Sequence, residues 1–331
     1  VKIQPQDTTN ETGKLLEVHD LTVKFAMRKG TLPAVNNVSF SLNPGERMGL
    51  VGESGAGKSV TGFAILNLIS KPGYIESGSV RLEGENISAL SYDEMRHIRG
   101  NRISMIFQDP MMTLNPVLTI GTQMVETLQA HQNISRKDAE AIAIEKLRKV
   151  YIPSPEKRLE QYPHEFSGGM RQRIVIAIAL LTSPSLIIAD EPTTALDVTI
   201  QAEIMALLEE LCETENMGLI LITHDLAVVS QVTQKIAVMY AGRVIEMGLT
   251  DEIIKNPLHP YTRGLISALP QAGGAKGARL AQIPGVMPSL LSIPKGCAFH
   301  PRCNMCSSQC TTELPLLTSR ESGNLVACHC V

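Results

Sequence analysis

Tryptophan is absent, and aromatic residues make up only 4% of the 331 residues. A chain so poor in rings has little with which to stack successive bases, which argues against a single-stranded nucleic-acid platform. Charge of one sign is lacking too. Thirty Lys and Arg stand against 33 Asp and Glu, a net of −3, so no global basic field favours nucleic acid. Long hydrophobic runs are missing. IVIAIALL (174–181) and GLILI (218–222) fall well short of the roughly 20 residues that a membrane span needs. The stretch VKIQPQDTTNETGK (1–14) is polar, shows no apolar secretory core, and reads as a disordered lead-in. Work at a membrane would therefore be done from the water side. What remains is ordinary for a globular protein, at 44% hydrophobic and 19% charged, with enough chain for a core domain and an appendage.

The densest chemical signal is VGESGAGKSV (51–60). Gly52, Gly57, Lys58 and Ser59 fit G-x-x-x-x-G-K-[ST], with Glu53, Ser54, Gly55 and Ala56 between them and Val60 after them. ERMGLV (46–51) reads as a strand and SVTGFAILNLI (59–69) as a helix, the context this phosphate-binding loop requires. Glycines let backbone N–H groups turn toward phosphate oxygens, and the helix aims its positive end at the same anion. Lys58 would neutralise β/γ-phosphate charge and Ser59 would ligate Mg²⁺. A chance glycine-rich turn is the alternative.

Apolar runs that read as strands alternate with segments of helical spacing, which predicts an α/β fold with a mainly parallel sheet covered on both faces. LLEVHDLTVKF (15–25) and AVNNVSFSL (34–42) alternate like strands, with AMRKGTLP (26–33) as a polar connection. KPGYIESGSV (71–80) carries turn signals and SVRLEG (79–84) reads as a strand. Helical spacing dominates from 119 to about 182, so a helical insertion, about 110–182, splits the core. QAGGAKGAR (271–279) reads as a linker and QIPGVMPSLLSIPKG (282–296) as irregular. The expected division is a nucleotide-binding unit over 15–256 and an extension over 257–331. Cys212 stands alone, whereas Cys297, Cys303, Cys306, Cys310, Cys328 and Cys330 crowd the tail. In a cytosolic protein such crowding suggests metal more than disulfides.

Two further motifs complete a nucleotide site. LIIADE (186–191) sets two carboxylates at the end of an apolar strand. Asp190 would hold Mg²⁺ through water and Glu191 would orient and activate the attacking water; either could instead be a helix cap or a surface acid. SGGMRQ (167–172) opens a second helix with N–H groups free for phosphate, or is simply a flexible turn.

With Ser167, Gly168 and Gly169 in this order behind the phosphate loop, the chain resembles the ATP-binding subunits of ABC transporters over residues 15–250. The resemblance implies the fold of a P-loop ATPase and several site residues. Gln108 matches the glutamine that senses Mg²⁺ and nucleophilic water, and His224 matches the switch histidine at the γ-phosphate. Asp197, in TALD, would reach across a head-to-tail dimer in which each Ser167–Gly169 signature closes over the partner's ATP. Phe25 falls where the family stacks an aromatic on adenine, or is a core residue.

QDPMMTLNPVLTIGTQ (108–123), HPYTRGLISALP (259–270) and IPGVMPSLLSIPKGCAFHPRC (283–303) resemble the peptide and nickel importer branch. That branch implies a peripheral subunit on the cytoplasmic face of a bacterial inner membrane. Its implied partners are two permease subunits and a second, related ATPase or a second copy. An extracytoplasmic substrate-binding protein would deliver di- or oligopeptides, with D,D-dipeptides as a narrower reading, or nickel. No nucleic acid is implied. The branch also implies a [4Fe–4S] cluster on Cys297, Cys303, Cys310 and Cys328, with Cys306 and Cys330 as alternative fourth ligands; zinc and reduced free thiols are the other readings of these cysteines. A soluble ABC ATPase without a permease and a metal- or redox-sensing ATP-binding regulator are the rival readings.

Overall fold

The computed structural model describes residues 13–28, 30–194, 196–269, 282–320 and 323–331. The expected lead-in, apart from Gly13 and Lys14, and the expected linker 271–279 lie outside the described residues.

The chain opens with β1 (Leu16–Met27) and β2 (Gly30–Leu42), paired antiparallel from Leu16↔Leu42 to Met27↔Gly30. The stretch expected to be a polar connection is therefore mostly strand. Its cross-strand pairs continue to the hairpin tip, where polarity reflects exposure and not loop structure. Next come β3 (Arg47–Val51) and α1 (Lys58–Ile65), then β4 (Gly73–Leu82), β5 (Glu85–Asn86) and α2 (Tyr92–Ile98). β4 begins just after Pro72 and covers Gly73 and Gly78, residues that suggest turns. Gly78, at φ 97°, lets it pair with β1 across a register shift, for a Cβ there would stand 2.6 Å from the His19 carbonyl oxygen.

β6 (Ile103–Ile106) leads into the helical segment: α3 (Pro110–Thr113), α4 (Ile120–His131), α5 (Arg136–Lys149), α6 (Pro155–Arg158) and α7 (Gly168–Ala179). Thr119 and Ser135 cap α4 and α5 by accepting hydrogen bonds from Thr122 N–H and Asp138 N–H. The core resumes with β7 (Leu186–Asp190), α8 (Val198–Thr214), β8 (Gly218–Thr223), α9 (Leu226–Val232), β9 (Lys235–Tyr240) and β10 (Arg243–Leu249). Ala241 and Gly242, both at positive φ, make the two-residue turn between the last two strands. α10 (Thr250–Lys255), α11 (Pro260–Ser267), α12 (Ser308–Thr312), β11 (Thr318–Ser319) and β12 (Leu325–Val326) follow.

Two sheets result. One is antiparallel, in the order β2-β1-β4-β5; the larger runs β11-β12-β10-β9-β3-β8-β7-β6 and is parallel from β9 to β6. A second, antiparallel sheet was not foreseen from the alternation of strands and helices. One apolar cluster fills the space between the sheets around α1 and includes Leu16, Phe40, Leu50, Ile188 and Ile222. The other joins the helical segment and α8 to the opposite face through Leu128, Ile174, Leu208 and Leu221. Residues of β3, β7 and β8 feed both clusters, which is why these strands are apolar between their ends, with polar residues only at Arg47, Asp190 and Thr223. β12 pairs with β10, so the large sheet contains strands from both sides of 256/257.

Candidate functional site

β3 ends at the phosphate loop, and the loop ends at α1. Gly57 is the N-cap, at φ 103°, with no side chain capping the helix start, so its first N–H groups lie open to an anion. A Cβ at Gly57 would stand 2.5 Å from the Ala34 carbonyl oxygen, so only glycine fits. Above the loop is a cavity of about 730 Å³, within the usual range for a small-molecule site. Glu53, Ser54, Gly55, Lys58, Ser59 and Val60 line it together with Gln108, Glu191 and His224, and Phe25 and Leu32 form an apolar wall. Ala56 is fully buried beneath the loop.

β3, β7 and β8 are neighbours in the sheet, so residues at their carboxyl ends meet. Ser59 Oγ donates to Asp190 Oδ1 at 2.9 Å, placing two hard oxygen donors together as Mg²⁺ prefers. Lys58 Nζ donates to the carbonyls of Gly52 at 2.8 Å and Glu53 at 3.1 Å. Burial lowers the Lys58 pKa, against the raising effect of Glu191, Asp190 and Glu53. Burial also raises that of Asp190; the Ser59 bond opposes this and the Glu191 charge adds to it.

Glu191 is the meeting point. Its backbone adopts left-handed φ 45°, tied by its N–H to Ile222 O at 2.8 Å. Its carboxylate receives Gln108 Nε2 at 3.1 Å and Thr194 Oγ at 2.9 Å on one oxygen, and faces His224 Nδ1 at 3.1 Å on the other. Burial would raise its pKa, but the bonds to His224 and Thr194 and the charges of His224 and Lys58 prevail and hold it below the usual value. The carboxylate is thus kept ionised and aimed. Thr194 escaped the sequence reading although it lies within EPTT (191–194), three residues past the acid.

Ser167, Gly168, Gly169 and Asp197 do not line this cavity. Ser167 Oγ caps its own helix by accepting from Met170 N–H at 3.4 Å, and Gly168 shares a separate cleft with Gln108, Arg171 and Thr194. Asp197 is the N-cap of α8, without a side-chain capping bond.

The cysteine expectation meets a different arrangement. Cys310 Sγ lies 3.7 Å from Cys330 Sγ, while Cys328 Sγ accepts the Cys330 N–H at 3.4 Å. Among the described residues no three His, Cys, Asp or Glu side chains are grouped to hold a metal. Cys297, Cys303, Cys310 and Cys328 therefore do not form a ready ligand set. Soft thiolates suit an iron–sulfur group chemically, but spacing along the chain does not fix side-chain convergence, and the close contact goes to Cys330.

Comparison with known proteins matches these features. Residues 35–194 match the family model described as ABC transporter, and residues 245–310 match that of the oligopeptide/dipeptide transporter C-terminal region. The oligopeptide transport ATP-binding protein OppD of Haemophilus influenzae is 48% identical over 314 residues, covering 95% of this chain and 96% of that protein. AppD of Bacillus subtilis, an oligopeptide transport ATP-binding protein, is 46% identical over 315 residues, with coverage of 95% and 96%. A dimeric ATP-binding cassette in a post-hydrolysis state with ADP and Pi superposes with a TM-score of 0.64 at 28% identity, covering 71% of this chain and 98% of that one. The chain belongs to the ATP-binding proteins of ABC transporters, in their oligopeptide/dipeptide branch.

Proposed function

We propose that this chain hydrolyses ATP to drive uptake of di- or oligopeptides through partner permeases. The observation that carries this is the convergence of Gln108, Thr194 and His224 on Glu191 beside a phosphate loop, in a chain whose C-terminal region matches peptide transporters.

The chemistry follows from the residues. The loop N–H groups and Lys58 bind and neutralise the phosphates. Ser59 and Asp190 would hold Mg²⁺, which supplies further positive charge to the phosphate oxygens. Glu191 accepts a proton from a water that it shares with Gln108, and the water oxygen bonds to γ-phosphorus as the bond to ADP breaks. His224 fixes the carboxylate from the other side and contacts the γ-phosphate. Phe25 supplies an apolar face for adenine at the cavity wall. Ser167, Gly168 and Gly169, outside their own cavity, serve the nucleotide of a partner ATPase in a head-to-tail dimer, and Asp197 reaches across the same interface. Loss of the γ-phosphate bridge reopens that dimer and moves the permeases.

The partner ATPase is a related chain or a second copy, and a substrate-binding protein delivers peptide from outside. No helix among the described residues is long and apolar enough to cross a membrane, which fits a peripheral subunit at the cytoplasmic face. The nucleotide-binding unit spans 15–256 and the extension begins at 257. The [4Fe–4S] or zinc reading of Cys297, Cys303, Cys310 and Cys328 rests on the branch resemblance and on spacing along the chain, so no step uses it. About four irons and four sulfides per chain after anaerobic purification would establish the cluster, and stoichiometric zinc the alternative.

The test is uptake of a labelled peptide by cells carrying wild type or Glu191→Gln. Retention of both proteins at the membrane with two permeases, and uptake lost only in the variant, supports the importer. Undiminished uptake in Glu191→Gln overturns it and favours an ATPase that works without permeases.

A further inference from the structure

The extension grips the phosphate loop through Glu53, every polar group of which is engaged. Its N–H donates to Tyr261 Oη of α11 at 2.9 Å. Its carbonyl receives Lys58 Nζ at 3.1 Å. Its carboxylate receives Arg302 Nη1 at 3.0 and 3.1 Å. The Arg302 side chain is only 6% exposed. It is locked by further bonds from Nε to Pro284 O at 2.9 Å and from Nη1 to Tyr240 Oη at 3.3 Å, and it lies 5.9 Å over the rings of Tyr240 and Phe299. The turn that presents it is closed by Arg302 N–H to Phe299 O and Cys303 N–H to His300 O.

The same extension reaches the loop by packing. Met287 lies against Gly55, where a Cβ would stand 3.1 Å from its methyl carbon. Leu265 and Leu290 line the cavity itself. Residues more than two hundred positions downstream of the loop thus build part of the cavity wall and fix the residue whose carbonyl holds Lys58.

We propose that Arg302 is a positioning residue of the nucleotide site: through Glu53 it sets the geometry of the phosphate loop, so that the C-terminal extension controls the affinity for ATP. This rests on the reading of the cavity as an ATP site. The interaction is present before and during reaction alike, so its loss raises KM for ATP and leaves kcat unchanged.

The experiment uses the full chain and mant-ATP with Mg²⁺, measuring Kd for wild type, Arg302→Gln, Glu53→Gln and the double variant. Losing a charge-assisted pair of this burial predicts about tenfold weaker binding in each single variant. The double variant should be no weaker than the singles, the mark of one shared interaction. Arg302→Lys should fall between wild type and Arg302→Gln. Arg263→Gln, which removes contacts to Pro257 O and Met305 within the extension, should bind as wild type does. Unchanged binding in Arg302→Gln, losses that multiply in the double variant, or equal weakening by Arg263→Gln would each overturn the proposal. Should Arg302→Gln fail to fold, Tyr261→Phe removes only the hydroxyl that receives the Glu53 N–H; weaker binding supports the proposal and wild-type binding refutes it. Wild type that does not bind mant-ATP refutes the ATP site itself, a separate result.

Discussion

His259 anchors the extension and makes that anchor acid-sensitive. Its ring is 1% exposed, and as N-cap of α11 its Nδ1 accepts the Tyr261 N–H at 3.0 Å. Its Nε2 has no partner among the described residues. Burial, then the charge of Arg263, lowers its pKa from 6.5 to about 3. Between these values the unfolded chain binds a proton that the folded chain refuses, so stability falls as the pH drops below 6.5 and stops falling near 3. At pH 5 the unfolded imidazole is almost fully charged, which costs about 2 kcal/mol relative to pH 8. Glu246, fully buried, accepts the N–H groups of Leu258 and His259 and has a pKa raised by burial. It takes up its proton with the opposite sign, so the total slope is not the readout. His259→Asn keeps an acceptor for the Tyr261 N–H and removes the titration. Urea unfolding from pH 8 to 5, followed by tyrosine fluorescence, should show wild type losing about 2 kcal/mol more than His259→Asn over that range. Equal losses in the two proteins would refute the assignment.

Gly57→Ala should abolish ATP binding in a nucleotide-binding assay while the chain still folds, because its Cβ meets Ala34 O and φ 103° disfavours it. Thr194→Ala removes one of the bonds that lower the Glu191 pKa, so the acid limb of the ATPase pH profile should move upward and kcat should fall by roughly tenfold. Ile188→Ala, in β7 and fully buried between the sheet and α1, should cost about 2–5 kcal/mol in urea unfolding without moving any residue of the site.

The phosphate loop was legible because its chemistry is local. Ten consecutive residues carry the glycines, the lysine and the serine, and the flanking periodicities name the strand and the helix. The helical segment was legible because its signal, apolar residues at three- and four-residue spacing, is local too, whereas the Thr119 and Ser135 caps are seen in the structure. The antiparallel sheet was obscured because Pro72 and the glycines of β4 read as turn signals, while Gly78 answers a register shift set by β1. The Arg302–Glu53 pair joins residues 249 positions apart, and although each lies in a stretch the sequence singles out, nothing local shows that the two meet. The cysteines show the converse. Their spacing marks Cys328 as the fourth ligand and Cys330 only as an alternative, yet it is Cys330 whose sulfur lies 3.7 Å from that of Cys310, and spacing along a chain does not fix which side chains meet.

The account stands or falls on Glu191 as the group that activates water. The direct measurement is ATP turnover by the assembled importer with wild type or Glu191→Gln, alongside ATP binding. The geometry predicts that the variant binds ATP as wild type does while hydrolysis drops by about 10²–10⁴-fold. Hydrolysis at the wild-type rate in Glu191→Gln would contradict the role given to this carboxylate and to the three side chains gathered around it.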